Sequence, residues 1–356
     1  MKKSIRYIVL ILSLFQIPVG CLYGKGAFQL RLPLKLGLNV SVNGDNNIFR
    51  LSAYDREDFE NNGRLALPDL HSLDDRFLKA DIDIQYSFSL LQKSNRLWLR
   101  TSLHKYSNNG IKDYNLYSLY YRFYFGRRSY LEGHWFRMPS YYLRPYWDRD
   151  KGKDINGDLL YFHCDYSENR LRLKASVYTK PYHYYHLYTE YIQWYYNQRF
   201  TEFDTDVFKI GGRMYHTFSG GIKTGIAYSI YRADNVGRHG GIQRPDLSHI
   251  EQEAALSVNL TDLILLNKEF DIRIAYSLRY RFYTTEVPES EDILHAGHES
   301  MRQKIISEIS VAVTKNISLS SYMMYDWRIV IAGSVIAERY KEFDHLRAGI
   351  GFKYTL

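Results

Sequence analysis

Cysteine is almost absent, and past the first twenty residues no long apolar run occurs. Of 356 residues only Cys21 and Cys164 carry thiols, so neither a disulfide framework nor a Cys-rich metal cluster is available. Cys164 falls within an apolar strand pattern and reads as a small buried or lipid-facing hydrophobe. No uninterrupted apolar stretch beyond the N-terminus approaches the roughly 20 residues a spanning helix requires, which excludes a helical membrane protein. No Gly-rich phosphate cradle follows a strand and opens a helix, so cofactor chemistry has no motif to rest on and no cofactor is expected. His183/His186 and His295/His298 with Glu299 lie in segments read as loops without a second cluster, so no metal site is expected.

What the chain does contain is aromatic side chains in quantity, 34 Tyr, 18 Phe and 5 Trp, against a mean hydropathy of −0.40. The N-terminus has the form of an export signal, with Lys2, Lys3 and Arg6, an apolar stretch at residues 8–15, and the small residues Gly20 and Gly24. Residues 1–24 are therefore expected to be a signal peptide. Cys21 raises lipidation as a competing fate, against which Pro18 occupies the position where a lipoprotein signal usually has Leu. Export makes nucleic acid an implausible partner despite the net charge of +8.

Residues 27–40 place Phe28, Leu30, Leu32, Leu34, Leu36, Leu38 and Val40 at every even position, with Gln29, Arg31, Lys35 and Asn39 between them. A period of two this regular is a strand between two different solvents. Residues 78–90 and 270–282 repeat it, and weaker versions cover 97–106, 116–125, 130–142, 159–166, 171–179, 207–218, 221–231, 251–260, 304–313, 317–327 and 345–356. Tight linkers are expected at 92–95, 126–129, 167–169 and 217–220, and long loops at 143–158, 180–206, 232–250 and 283–303. The sequence thus predicts an all-β chain: one transmembrane antiparallel up-and-down barrel of about fourteen strands over residues 25–356, with long loops outside the cell. A soluble β-sandwich is the competing architecture, but it has no use for so many aromatic-capped apolar faces.

The last segment contains Arg347, Gly349, Gly351, Phe352 and Tyr354 and ends at Leu356. This pattern resembles the C-terminal signal that delivers bacterial outer-membrane β-barrels to their assembly machinery. The resemblance implies a Gram-negative outer-membrane location, with membrane lipid and that machinery as partners.

If the apolar positions face lipid, Arg31, Lys35, Lys79, Arg100, Arg122, Arg172, Lys174, Lys209, Arg213, Lys223, Arg273, Arg279, Arg281, Arg347 and Lys353 face the lumen. Fewer acids share that face, chiefly Asp81, Asp83, Asp165, Glu251, Glu253, Asp271 and Glu308. A net positive lumen favours anions, so the expected function is a porin-like channel passing or exporting small anionic or sugar-like solutes. The opposing possibility is that these charges pair across strands and fill a narrow interior. The aromatic stretch 181–203, read as a loop, offers a surface for glycan contact.

One enzymatic alternative arises at His104, Ser107 and Asn109-Gly110, which resemble the active-site segment of the outer-membrane phospholipase A family within residues 97–125. That resemblance implies a calcium-assisted, dimeric acyl hydrolase in which His104 activates Ser107, and Asn115 is the nearest candidate to orient the imidazole. Here two residues separate His from Ser, where the family has one, so a bulge at Lys105 or Tyr106 is needed to align them. A surface scaffold or assembly component is the third reading.

Overall fold

In a computed structural model, the described residues are 33–356 apart from 62–69, 91, 148–159, 181, 238–245 and 266–267. The expected signal peptide, Cys21, Phe28, Leu30, Arg31 and Leu32 lie outside them. Fourteen strands follow in chain order: β1 (Leu34–Asp45), β2 (Asp75–Leu90), β3 (Lys93–Tyr106), β4 (Tyr114–Tyr124), β5 (Tyr130–Trp147), β6 (Tyr161–Lys180), β7 (His183–Tyr196), β8 (Thr205–Thr217), β9 (Ile222–Asn235), β10 (His249–Leu265), β11 (Lys268–Tyr283), β12 (Glu299–Ala312), β13 (Ile317–Ala332) and β14 (Phe343–Thr355). Two short helices, α1 (Ala53–Glu60) and α2 (Val335–Lys341), sit in the β1–β2 and β13–β14 connections.

Each strand pairs antiparallel with its successor, and β14 returns to β1 to close the wall, with Val40 opposite Phe352 and Asp45 opposite Arg347. Closure leaves no strand edge with unpaired backbone groups, a necessity in hydrocarbon, where an unsatisfied N–H or C=O costs several kcal/mol, roughly. The β2–β3, β4–β5, β6–β7, β8–β9, β10–β11 and β12–β13 connections form a short-turn end, and the others gather at a long-loop end.

Alternation decides what each face meets. Leu187, Ile210, Leu256 and Ile350 stand outward and are more than half exposed, while neighbours of opposite parity point inward and form ion pairs, Glu190 with Arg172, Lys209 with Glu253, Glu251 with Arg281 and Arg347 with Asp45. An apolar outer surface around a polar interior inverts the layout of a soluble sandwich and is the layout of a membrane-spanning barrel.

Two assignments made from sequence are corrected. Ser167, Glu168 and Asn169 are not a turn: they lie inside β6, which runs unbroken for 20 residues. Nor is 181–203 a loop, since His183–Tyr196 form β7, paired with β6 and β8. Strand β6 is longer than the roughly 9–11 residues that cross the hydrocarbon. Its outward Leu171 and Leu173 are exposed in the apolar belt, whereas outward Asn169, accepting from Arg137 Nη1 at 2.7 Å, belongs to the part of the wall that rises past it. The polar triplet marks the rim of the belt, not a reversal of the chain.

Candidate functional site

The lumen is the site, and its walls are set by register. Most of its cations face acids on the adjacent strand. Arg100 lies 2.6 Å from Asp83. Arg122 and Lys174 both hold Glu132 at 2.5 Å, and Arg172 pairs with Glu190. Lys209 and Arg279 share Glu253 at 3.1 and 3.3 Å, and Arg281 meets Glu251 at 2.9 Å. Arg273 reaches Glu308 only at 3.8 Å, with both side chains about half exposed. Cross-strand neighbours sit close enough for such pairs, so much of the positive excess is neutralised locally.

The remainder is unevenly placed. Lys35, Arg213, Lys223 and Lys353 form no ion pair among the described residues, and all four lie toward the short-turn end. Asp271, on β11 at that end, likewise forms no ion pair among the described residues. Beside these cations the lumen face of β8–β11 opens into a cavity of about 430 Å³. Around β3–β5 a row of rings faces inward instead: Trp98 stacks on Tyr120 with centroids 4.5 Å apart, and Tyr120 on His134 at 4.0 Å. That row was not singled out from sequence. Its signal was present, since the three residues occupy lumen parity on consecutive strands, but only the register brings them face to face.

At the long-loop end the β1–β2 segment packs inward. Ile48, Phe49, Leu51 and Leu70 cluster with the lumen-facing Phe77 and Tyr106. Buried Asn47 ties this segment down, donating to Leu51 O and Asp344 O at 2.9 and 2.8 Å and accepting from Leu51 N. Ser52 caps α1 by accepting from Asp55 N. Arg56 on α1 contacts Asp344 at 2.5 Å, and Arg144 of β5 reaches Asp55 at 3.2 Å. Tyr54 packs edge-on against Tyr340 of α2. In the β3–β4 connection Lys112 is buried, donates to Tyr142 O and lies 4.2 Å from the Tyr141 ring centroid. Burial pushes its ammonium below the ordinary lysine range.

The structure does not assemble His104, Ser107 and Asn115. The β2–β3 ladder runs without a bulge from Phe77–Tyr106 to Leu90–Lys93. His104 points into the lumen, stacked on Tyr114 at 4.1 Å, and neither ring nitrogen has a hydrogen-bond partner. Asn115 pairs with Leu103 and so takes the opposite face. Exposed Ser107 lies beyond the strand, its N–H bonded to Arg76 O. The histidines are also dispersed: on β7, His183 faces outward and His186 inward, while His295 in the β11–β12 loop donates from Nδ1 to Asp292 and accepts at Nε2 from Lys341 of α2. The aromatic side chains of β7 divide between its two faces, Tyr184 and Tyr188 inward and Tyr185, Tyr191 and Tyr195 outward.

Of the remaining sequence-derived positions, Arg347 faces inward onto Asp45 at 2.7 Å. Gly349 shares that face, and Phe352 is exposed on the outer one, where parity also places Tyr354. Cys164 is fully buried.

No protein-family model matches the sequence, and no curated protein matches it. Among solved structures, a bacterial polysaccharide outer membrane secretin is 7% identical with a TM-score of 0.44, covering 90% of this chain and 98% of its own. The outer membrane channel DcaP of Acinetobacter baumannii is 12% identical with a TM-score of 0.45, covering 91% and 97%. An anion-selective porin from Comamonas acidovorans is 10% identical with a TM-score of 0.42, covering 91% and 98%. The chain is a barrel of the outer-membrane type. That statement stands on the closed wall and its apolar outer face; the likenesses do not bear on what passes through it.

Proposed function

We propose that this protein is a bacterial outer-membrane channel that passes small anionic solutes, with the short-turn end in the periplasm and the long loops outside. The observation that carries this reading is a group of lumen cations without ion pairs among the described residues, Lys35, Arg213, Lys223 and Lys353, gathered toward the short-turn end, with Lys304 and Arg328 also unpaired farther along the wall. Fixed charge that no neighbour neutralises raises the local concentration of counter-ions along the path. The outer apolar belt contacts lipid, and β14, with Arg347, Gly349, Phe352 and Tyr354, is the segment offered to the assembly machinery. Sugar-like solutes fit the same reading through the edges of the Trp98–Tyr120–His134 row, whose faces are taken up by one another.

Reversal potentials in planar bilayers under a potassium chloride gradient test the proposal, and a chloride preference is expected. A cation preference overturns it. Absence of current overturns it in favour of a second reading, a closed surface scaffold, which the inward packing of Ile48, Phe49 and Leu51 supports.

A further inference from the structure

Across β8–β11 the lumen face is built from residues with little side chain. The register aligns three rows: Arg213, Ala227, Ala255 and Ser277; then Tyr215, Gly225, Ser257 and Ala275; then Lys223, Asn259 and Arg273. The small middle residues hollow the wall, while the cations stand at its borders. The resulting recess of about 430 Å³ has Arg213, Lys223 and Arg273 in its lining and no acidic residue.

Tyr215 organises one side. Its ring lies across Gly225, where an added Cβ would fall 2.8 Å from Cε1. Its hydroxyl accepts from Arg213 Nη1 at 2.7 Å, and Lys223 Nζ rests 4.6 Å from the ring centroid. Two like charges are thereby held against one ring with no carboxylate between them. Arg273 adds a third, only loosely engaged by Glu308 at 3.8 Å in an exposed pair, a contact that solvent largely screens.

We infer that this recess is a binding subsite for a small solute carrying two negative charges on oxygen, as a phosphate group or a pair of carboxylates. Two uncompensated cations are balanced by two anionic charges. An arginine fork suits a planar or tetrahedral oxyanion, and a lysine supplies a mobile point charge. Ser257, Asn259 and Thr261 in the lining offer neutral hydrogen-bonding groups to the rest of the solute. The volume lies within the roughly 300–1,000 Å³ typical of small-molecule sites. Along a conduction path such a site must also release its occupant, so millimolar binding is expected.

The inference deepens the anion-channel reading and rests on its basic lumen, but its test does not require conduction. The full-length protein folded in detergent is titrated calorimetrically at low salt with inorganic phosphate, succinate and acetate. Phosphate or succinate is expected to bind saturably and at least tenfold more tightly than acetate, and whichever binds identifies the oxyanion. Binding should weaken at least tenfold in the Arg213→Gln/Lys223→Gln variant, return in Arg213→Lys/Lys223→Arg, and stay unchanged in Lys315→Gln in the β12–β13 turn. Folding of each variant is checked by the electrophoretic mobility of the unheated barrel. No saturable binding of either divalent probe by the wild type, or unchanged binding in the folded double-glutamine variant, overturns the subsite. Current without binding removes the subsite and leaves the channel; binding without current does the reverse.

Discussion

At the scale of single residues, the lumen depends on glycines placed opposite tyrosines. Tyr215 lies over Gly225 and Tyr188 over Gly211, where an added Cβ would come within 2.6 Å of the ring. Gly225→Ala is expected to lift Tyr215, release its bond from Arg213 and destabilise the barrel by about 1–3 kcal/mol, the usual cost of overpacking. Thermal unfolding in detergent checks this, and a melting temperature equal to wild type contradicts it. A second residue-scale prediction concerns Asp45, fully buried with His345 Nε2 at 2.8 Å and Arg347 at 2.7 Å. Asp45→Ala strands both partners and should cost about 3 kcal/mol, as for other broken buried ion pairs; retention of wild-type stability in urea would count against it. Sequence alternation distinguishes inward from outward residues well, so Lys209 and Arg281 could be placed in the lumen. It cannot say that Lys209 meets Glu253, 44 residues away, because that depends on how β8, β9 and β10 slide past one another.

At the scale of elements, a count of fourteen strands emerges from sequence through two errors that cancel. Period-two alternation splits 159–179 at Ser167–Asn169 and gives no strand at β7, whereas β6 is unbroken and β7 is a strand. Both follow from a physical cause. Polar residues face outward where β6 leaves the hydrocarbon, and tyrosine suits both the lumen and the membrane interface, so β7, with Tyr184 and Tyr188 inward and Tyr185 and Tyr191 outward, shows little alternation. The loops carry a pH prediction. His298, next to β12, is 1% exposed, and burial, reinforced by Lys341, His295, Arg328 and Arg281, lowers its pKa to about 3. An unfolded histidine titrates near 6.5, so below that value the opened segment binds the proton that the packed segment refuses. The β11–β12 loop should therefore loosen progressively as pH falls from about 6.5 toward 3. Hydrogen exchange across residues 284–298 checks this, and His298→Leu should flatten that component of the profile.

At the scale of the whole molecule, the decisive distinction is between charges that are paired and charges that are not. Arg172→Gln with Glu190→Gln removes one of each sign and should leave bilayer ion selectivity nearly unchanged. Arg213→Gln with Lys223→Gln removes two uncompensated charges and should move the reversal potential toward cation preference, most clearly at low ionic strength, where the screening length is long. Equal shifts from both double variants would mean that pairing does not govern the lumen field. Composition disclosed the basic balance but overstated its effect, since Glu132, Glu190, Glu251 and Glu253 absorb most of it.

The seam between β1 and β14 joins positions at opposite ends of the chain: His345 and Asp45 are 300 residues apart. Ring formation is consequently a high-contact-order step that cannot finish until the final strand arrives. Every earlier folding intermediate bears two sticky, unsatisfied borders, the kind that invite pairing with foreign strands. The buried aspartate lies on the seam that only the last strand can complete, so those borders stay open until its partners on β14 arrive.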